Sequence, residues 1–113
     1  MNISKFTQKS VQAVQDLEKV AYEYGNQEVE QEHLLYALLT QEDSLILKLI
    51  EKMEINKDYF INTVKKALDA KVKVSGGDLR FGQYPNKSLV NAENEAKAMG
   101  DEYVSVEHLF LSL

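Results

Sequence analysis

Two histidines are the residues of this chain best suited to chemistry. His33 and His108 each follow a glutamate and precede a leucine. An imidazole can act as a general base or bind zinc, but the H-E-x-x-H zinc pattern and cysteine ligands are both absent from the sequence. A catalytic triad needs its members in unequal roles, whereas these histidines occupy equivalent positions. We therefore predict a structural role for both near helix starts, with no catalytic residue and no metal site.

A second candidate for chemistry is the glycine pair Gly77 and Gly82, which has the spacing of a phosphate-binding loop. The Lys and Ser/Thr that contact phosphates and magnesium in such loops do not follow Gly82. The pattern is therefore interpreted as a flexible turn. No cofactor is expected in this part of the protein.

Composition limits the class of partner. The chain has 113 residues and a formal net charge of −5, which argues against non-specific nucleic-acid binding because such binding needs surplus Lys and Arg. Residues 1–10 contain no apolar stretch typical of a signal peptide, and the longest apolar run, residues 34–39, is too short to span a bilayer. The absence of cysteine fits a reducing compartment. We expect one cytoplasmic domain with neither nucleic-acid nor membrane partners.

The elements that position the histidines are two copies of one helical unit. Residues 14–38 and 89–113 align without a gap at an offset of 75. The identical pairs are Glu18/Glu93, Ala21/Ala96, Gly25/Gly100, Val29/Val104, Glu32/Glu107, His33/His108, Leu34/Leu109 and Leu38/Leu113. They supply a small residue in a first helix, a glycine that ends it, an apolar turn residue and the start of a second helix. This predicts an all-α fold of two pseudo-twofold repeats.

Capping and periodicity predict the helices of the first repeat. Thr7 caps a helix that Gly25 ends, and Glu32 lies in the first turn of a buried second helix. A short third helix runs from Leu45 to Met53 with Ser44 or Asp43 as its cap. A fourth begins after Asn56 and runs to about Ala70.

The predicted boundaries place repeat one at about residues 1–70, a linker at about 71–86 and repeat two at about 87–113, all within a single domain 1–113. The second copy starts near Lys87, and Ser105 caps its last helix. A short extended piece is predicted at Val72 to Val74, with no β-sheet. Because the sequence stops inside an apolar helical pattern, the second repeat is expected to be incomplete and the chain to be a fragment of a longer protein.

These features together resemble the Clp N-terminal (repeat) domain of the Clp family of AAA+ unfoldases. The resemblance covers essentially all 113 residues, and the region from Asn56 to Leu68 and the linker look closest to the ClpB disaggregase type. The segments that carry it are Phe6-Thr7, Gly25…Val29…Glu32-His33-Leu34, Val74-Ser75-Gly76-Gly77 and Gly100-Asp101…Val104-Ser105-Val106-Glu107-His108-Leu109.

The resemblance implies a substrate-binding module that captures unfolded or aggregated polypeptide and hands it to the ATPase ring of a parent chaperone. The parent would use ATP and magnesium and work with a DnaK-type chaperone system. The alternative is a module of a ClpC- or ClpA-like unfoldase that docks adaptor proteins and feeds a protease. A third hypothesis, a small stand-alone enzyme, has only the two histidines in its favour.

The resemblance also implies the site. Substrate contacts would lie at Thr7, Asp101 and Glu107, with a groove near Leu89 and His108. The ClpB type can carry an apolar residue at the position of His108, so this groove would be more polar. Capping of helix starts and turns explains Thr7, Asp101 and Glu107 equally well, and both interpretations stay open. The aromatic residues Phe81 and Tyr84 are predicted to pack over the groove between the repeats.

Overall fold

A computed structural model describes residues 3–74, 79–81 and 83–113. Within these residues the chain is mostly helical with almost no strand, which confirms the predicted all-α class. After a 3-10 turn at Ile3–Lys5, the elements are α1 (Gln8–Glu23), β1 (Glu28–Val29), α2 (Gln31–Leu39), α3 (Leu45–Lys52), α4 (Lys57–Asp69), β2 (Arg80–Phe81), α5 (Gln83–Ala98) and α6 (Val106–Leu111).

The helix starts follow from local capping chemistry. Thr7, Ser44 and Asn56 stand at the N-cap positions of α1, α3 and α4. Each side-chain oxygen accepts from a backbone N–H three residues on: Ser10 N–H to Thr7 Oγ1 at 3.3 Å, Leu47 N–H to Ser44 Oγ at 3.1 Å, and Tyr59 N–H to Asn56 Oδ1 at 3.0 Å. The caps predicted for α1 and α4 are confirmed, and Ser44 rather than Asp43 caps α3.

Glycine ends the first helix of each repeat. Gly25 has φ +69° and Gly100 has φ +72°, a left-handed conformation that glycine adopts without a Cβ clash. The residue after each glycine donates its N–H back into the helix, from Asn26 to the Ala21 carbonyl at 2.9 Å and from Asp101 to the Ala96 carbonyl at 2.8 Å. The two turns therefore have the same backbone hydrogen-bond pattern.

The second repeat begins earlier than predicted. Helix α5 runs from Gln83 to Ala98, and both bounds lie 75 residues after those of α1. The predicted start near Lys87 is wrong for this helix, because Pro85 lies in its first turn rather than in a linker. Proline is tolerated in the first helical turn, where its missing N–H has no helical partner. The identity of Gln8 and Gln83 at the same offset was the sequence signal for the true start.

In each repeat, one residue before the first helix pairs its backbone with the turn of the other repeat. Strand β1 pairs in parallel with β2, with Val29 opposite Phe81, and Phe6 forms a parallel bridge with Val104. Phe6 and Phe81 are identical residues at the offset of 75. The sequence analysis predicted no sheet, because pairings of only two residues leave no alternating pattern. The residues predicted to be extended, Val72 to Val74, form no strand.

The two repeats share one core. Helices α5 and α6 pack against α2, and α6 also contacts α1 and α3. The largest fully buried apolar side chains of the core come from both repeats: Leu17, Leu34, Leu38, Leu39, Ile46, Ile50, Leu68, Leu89, Leu109 and Val29. This shared burial sets the angle between the repeats and leaves surface grooves where their helix starts meet.

Candidate functional site

A groove of about 400 Å³ lies where the first turn of α1, the loop between α2 and α3, and the start of α6 meet. Its lining residues include Thr7, Gln41, Asp43, Leu45, Val106 and Glu107, and its walls are largely apolar. Leu45 is 44% exposed although it is a large apolar residue. The structure therefore brings two of the predicted contact residues, Thr7 and Glu107, into one groove.

Thr7 is held in place by hydrogen bonds of both its backbone N–H and its side-chain hydroxyl. Its N–H donates to the Val104 carbonyl at 2.9 Å, and its hydroxyl lies 3.0 Å from the hydroxyl of Ser10. The buried Ser10 hydroxyl in turn donates to the Val104 carbonyl at 2.7 Å. Thr7 is thus both a helix cap and a fixed part of the groove wall.

Asp101 lies apart from that groove. It lines a separate depression of about 390 Å³ together with Lys5, Glu93, Lys97 and Glu102. Its side chain is 47% exposed and accepts a hydrogen bond from His108 Nε2 at 2.9 Å. The structure therefore does not place Asp101 in one groove with Thr7 and Glu107.

Leu89 and His108 belong to the core. They are 2% and 4% exposed, so neither offers its side chain to a partner in this conformation. The groove predicted near them is displaced toward Leu45 and Val106. Their substrate-binding role stays a prediction, and only an indirect effect on the groove wall is compatible with their burial.

The two histidines make equivalent hydrogen bonds. His33 Nδ1 accepts from the N–H of Glu30 and His108 Nδ1 from the N–H of Ser105, both at 2.9 Å. Because a backbone N–H can only donate, both Nδ1 atoms are unprotonated and the protons lie on Nε2. His33 Nε2 then donates to Asn26 Oδ1 at 3.0 Å, as His108 Nε2 does to Asp101. This geometry supports the predicted structural role at helix starts.

Ion pairs and burial shift the pKa values of three side chains at the start of α2: Glu32, His33 and the neighbouring Lys71. Burial, reinforced by the positive charge of Lys71, lowers the pKa of His33. Burial tends to raise the pKa of Glu32, but the hydrogen bond and positive charge of Lys71 and a backbone hydrogen bond together outweigh it, so the net shift is downward. Burial tends to lower the pKa of Lys71, and its hydrogen bonds to Glu30 and Glu32 reverse this, so that pKa is raised.

Within residues 3–74, 79–81 and 83–113 no group of three or more His, Cys, Asp or Glu side chains is arranged to hold a metal ion. None of the helices in this part of the chain is long and apolar enough to cross a membrane. The glycine pair at 77 and 82 lies outside the described residues, as do the side chains of Phe81 and Tyr84.

Three of the groove residues that the sequence analysis did not predict come from one loop and the helix start after it. Gln41, Asp43 and Leu45 come from the loop between α2 and α3 and from the start of α3. Asp43 has φ +56°, which is uncommon for a residue with a side chain, and it pairs with Lys48 at 2.8 Å. No spacing in the sequence indicates that this loop faces α6, because that approach depends on the packing of α3 against α6.

Comparison with known proteins decides the family. Residues 5–113 match the family described as the Clp repeat (R) N-terminal domain. The chain belongs to this family. As a Clp N-terminal domain it is 38% identical over 118 residues to chaperone protein ClpB of Nitratidesulfovibrio vulgaris and 40% identical over 118 residues to that of Clostridium tetani. Each alignment covers 100% of this chain and 14% of the relative, so the chain spans a small part of the length of these chaperones.

Solved structures share the Clp N-domain fold. The Hsp104 N-terminal domain of Candida albicans superposes with a TM-score of 0.86 at 19% identity, covering 96% of this chain and 72% of that one. The N-terminal domain of the Escherichia coli ClpV1 ATPase gives 0.86 at 20% identity, covering 98% and 68%. At these identities the similarity shows the fold alone.

Proposed function

We propose that this Clp N-terminal domain captures unfolded or aggregated polypeptide segments in the groove between Thr7 and Glu107. The observation that carries the proposal is the exposed apolar side chain of Leu45 inside a largely apolar groove with hydroxyl and carboxylate groups at its rim. An apolar groove with a few polar groups suits short segments whose apolar side chains are normally buried.

The parent protein extends the proposal. Because the relatives that match along this whole chain are ClpB chaperones, we propose that a longer cytoplasmic protein receives the captured segment in an ATPase ring. ATP and magnesium would bind to that ring, and a DnaK-type chaperone system would be its partner. The domain itself would be a binding module without catalytic activity.

The size of the groove predicts weak binding. About 400 Å³ is near the lower end of ligand pockets, and a segment that fills it buries far less than the ~1,200 Å² of a stable protein interface. Weak and rapidly reversible capture suits a module that must release its substrate to a neighbouring domain.

A two-dimensional NMR titration with a permanently unfolded, apolar-rich polypeptide tests the proposal. We expect the amide signals of Thr7, Leu45, Val106 and Glu107 to shift. Leu45→Ser should weaken binding, whereas the matched change Leu111→Ser should not, because Leu111 is exposed but does not line the groove.

Absence of shifts in a well-folded spectrum would overturn substrate capture. Adaptor docking predicts a different pattern: a folded partner that saturates at a fixed stoichiometry and is not displaced by unfolded polypeptides. Competition between unrelated unfolded polypeptides for the same signals supports the proposal over that alternative.

A further inference from the structure

A second groove, of about 530 Å³, continues from the groove between Thr7 and Glu107 (the Thr7 groove) along an exposed face of α1. The lining residues of this α1 groove are Gln8, Lys9, Gln12, Asp16, Lys19, Thr40, Gln41 and Glu42. Three of them also line the Thr7 groove: Gln8, Lys9 and Gln41. Every residue of the α1 groove belongs to the first repeat, whose four helices all lie within the described residues.

Two hydrogen bonds join α1 to the loop after α2 where the two grooves meet. Gln41 Nε2 donates to the Lys9 carbonyl at 2.8 Å, and Lys9 Nζ donates to the Glu42 carbonyl at 2.6 Å. Each of these side chains thus holds the main chain of the other element. The loop and the first turn of α1 therefore form one continuous wall that passes from the Thr7 groove into the α1 groove.

The α1 groove is lined by polar side chains, whereas the walls of the Thr7 groove are largely apolar. Three glutamines contribute primary amides, which both donate and accept. They can pair with the N–H or the C=O of an extended chain whatever its side chains are. Two lysines and two acidic residues balance in charge, so the groove favours neither sign. An apolar side chain would desolvate these polar groups without giving them a partner.

The extent of the α1 groove sets the length of chain that it can bind. Gln8 and Lys19 are the first and last of its residues on α1 and lie eleven positions apart. At ~1.5 Å per helical residue this is about 16 Å. An extended polypeptide, which advances ~3.3 Å per residue, spans that distance with about five residues.

We infer that the α1 groove binds about five uncharged polar residues that adjoin the apolar part of a captured segment. The inference rests on the proposed function and names the class of segment captured: an apolar anchor for the Thr7 groove joined to a run of Ser, Thr, Asn, Gln or Gly for the α1 groove. Such a segment contacts two connected grooves at once. It therefore binds more tightly than its anchor alone, although each groove by itself binds weakly.

The probes are capped peptides built on the anchor Ala-Leu-Phe-Leu. One is the anchor alone, and two carry the tail Ser-Gln-Ser-Gln-Ser, placed after the anchor in one and before it in the other to cover both chain directions. Each is titrated by NMR into the chain and into the variants Gln12→Ala and Gln15→Ala. Both glutamines are exposed on α1, but only Gln12 lines the groove, so Gln15→Ala is the matched control.

We expect at least one tailed peptide to bind about tenfold more tightly than the anchor alone, a gain that one to two hydrogen bonds supply. It should shift the amides of Gln12, Asp16 and Lys19 in addition to that of Leu45. Gln12→Ala should reduce the gain to about threefold or less, and Gln15→Ala should leave it unchanged. Lysine or glutamate in place of the tail glutamines should lower the gain, because the groove has no excess charge of either sign to compensate their desolvation.

Equal binding of the anchor and both tailed peptides would overturn the inference. So would a gain that is the same in Gln12→Ala and Gln15→Ala, or a charged tail that binds more tightly than the glutamine tail. A shift of Leu45 with the anchor alone would leave the proposed function standing in each of these cases. If no peptide shifts Leu45, the proposed function fails and the inference fails with it.

Discussion

At the scale of single residues, the two E-H-L histidines work as capping groups. In a capping box a Glu or Gln side chain usually accepts the N-cap N–H from the third helical position, and here an imidazole Nδ1 does so. His33 is fully buried, and both of its ring nitrogens have hydrogen-bond partners. Both ring nitrogens are therefore engaged in holding the start of α2. A proton added to Nδ1 would break its buried hydrogen bond with the Glu30 N–H.

The lowered pKa of His33 predicts a loss of stability in mild acid. His33 binds a proton more readily in the unfolded chain than in the folded one. The free energy of unfolding should therefore have its full value above about pH 6.5 and should fall as the pH drops toward 5.5. Urea unfolding at pH 7.5 and 5.5 measures this. His33→Gln, which keeps an acceptor for the Glu30 N–H, should reduce the difference between the two pH values, and an unchanged difference would assign it to other groups.

Lys71 predicts a second effect on stability. Lys71→Met leaves Glu30 and Glu32 facing each other without a cation, and we expect a loss of about 1–2 kcal/mol in the free energy of unfolding. Lys65→Met, an exposed change on α4, is the matched control and should cost less than about 0.5 kcal/mol. Equal effects of the two changes in urea unfolding would show that the ion pairs contribute nothing net.

At the scale of elements, α1 and α5 start and end at corresponding residues, and α2 and α6 start at corresponding residues, because the same local rules act twice. The bounds of α1 and α5 differ by the offset of 75, and both helices end in a left-handed glycine. Caps and glycines act within a few residues of chain, so sequence alone locates them. The start of α5 was the exception, because Pro85 is compatible with both a linker and a first helical turn.

The two glycine turns predict similar losses of stability when either glycine is replaced. Gly25→Ala and Gly100→Ala should each lower the free energy of unfolding by about 1–2 kcal/mol, because a Cβ strains a left-handed residue and neither Cβ meets an atom closer than 3.6 Å. Asn tolerates this conformation better, so Gly25→Asn and Gly100→Asn should cost less. Thermal or urea unfolding of the four variants tests this, and a much larger cost at Gly25 alone would mean that Lys73 cannot adjust.

At the scale of the whole molecule, the repeats are joined by exchange of extended residues and by a common core. Phe6 is 6% exposed and bridges to Val104 of the other repeat, and Phe81 pairs its backbone with Val29. Neither repeat therefore completes its own turn. The groove between Thr7 and Glu107 and the turn at Gly100 both lie beside this exchange, so their shapes depend on the two repeats staying together.

Cooperative unfolding of the two repeats follows from this exchange. Phe6→Ala should lower the free energy of unfolding by about 3 kcal/mol and speed amide hydrogen exchange in α1 and α5 together. Phe60→Ala is the control, because Phe60 is half-buried in α4 and belongs to the first repeat alone. Faster exchange limited to α1 in Phe6→Ala would show that the repeats unfold independently.

The amino-acid sequence by itself determined the repeat, the helical class, the caps at Thr7 and Asn56 and the turns at Gly25 and Gly100. Each of these follows from interactions between residues close in the chain or from a direct match between two segments. The tertiary structure alone decided the exchange of Phe6 and Phe81, the burial of Leu89 and His108, the separation of Asp101 from the Thr7 groove, and the ion pairs of Lys71. These depend on contacts between residues tens of positions apart, which form only when the two repeats pack on one core and which leave no local pattern in the sequence.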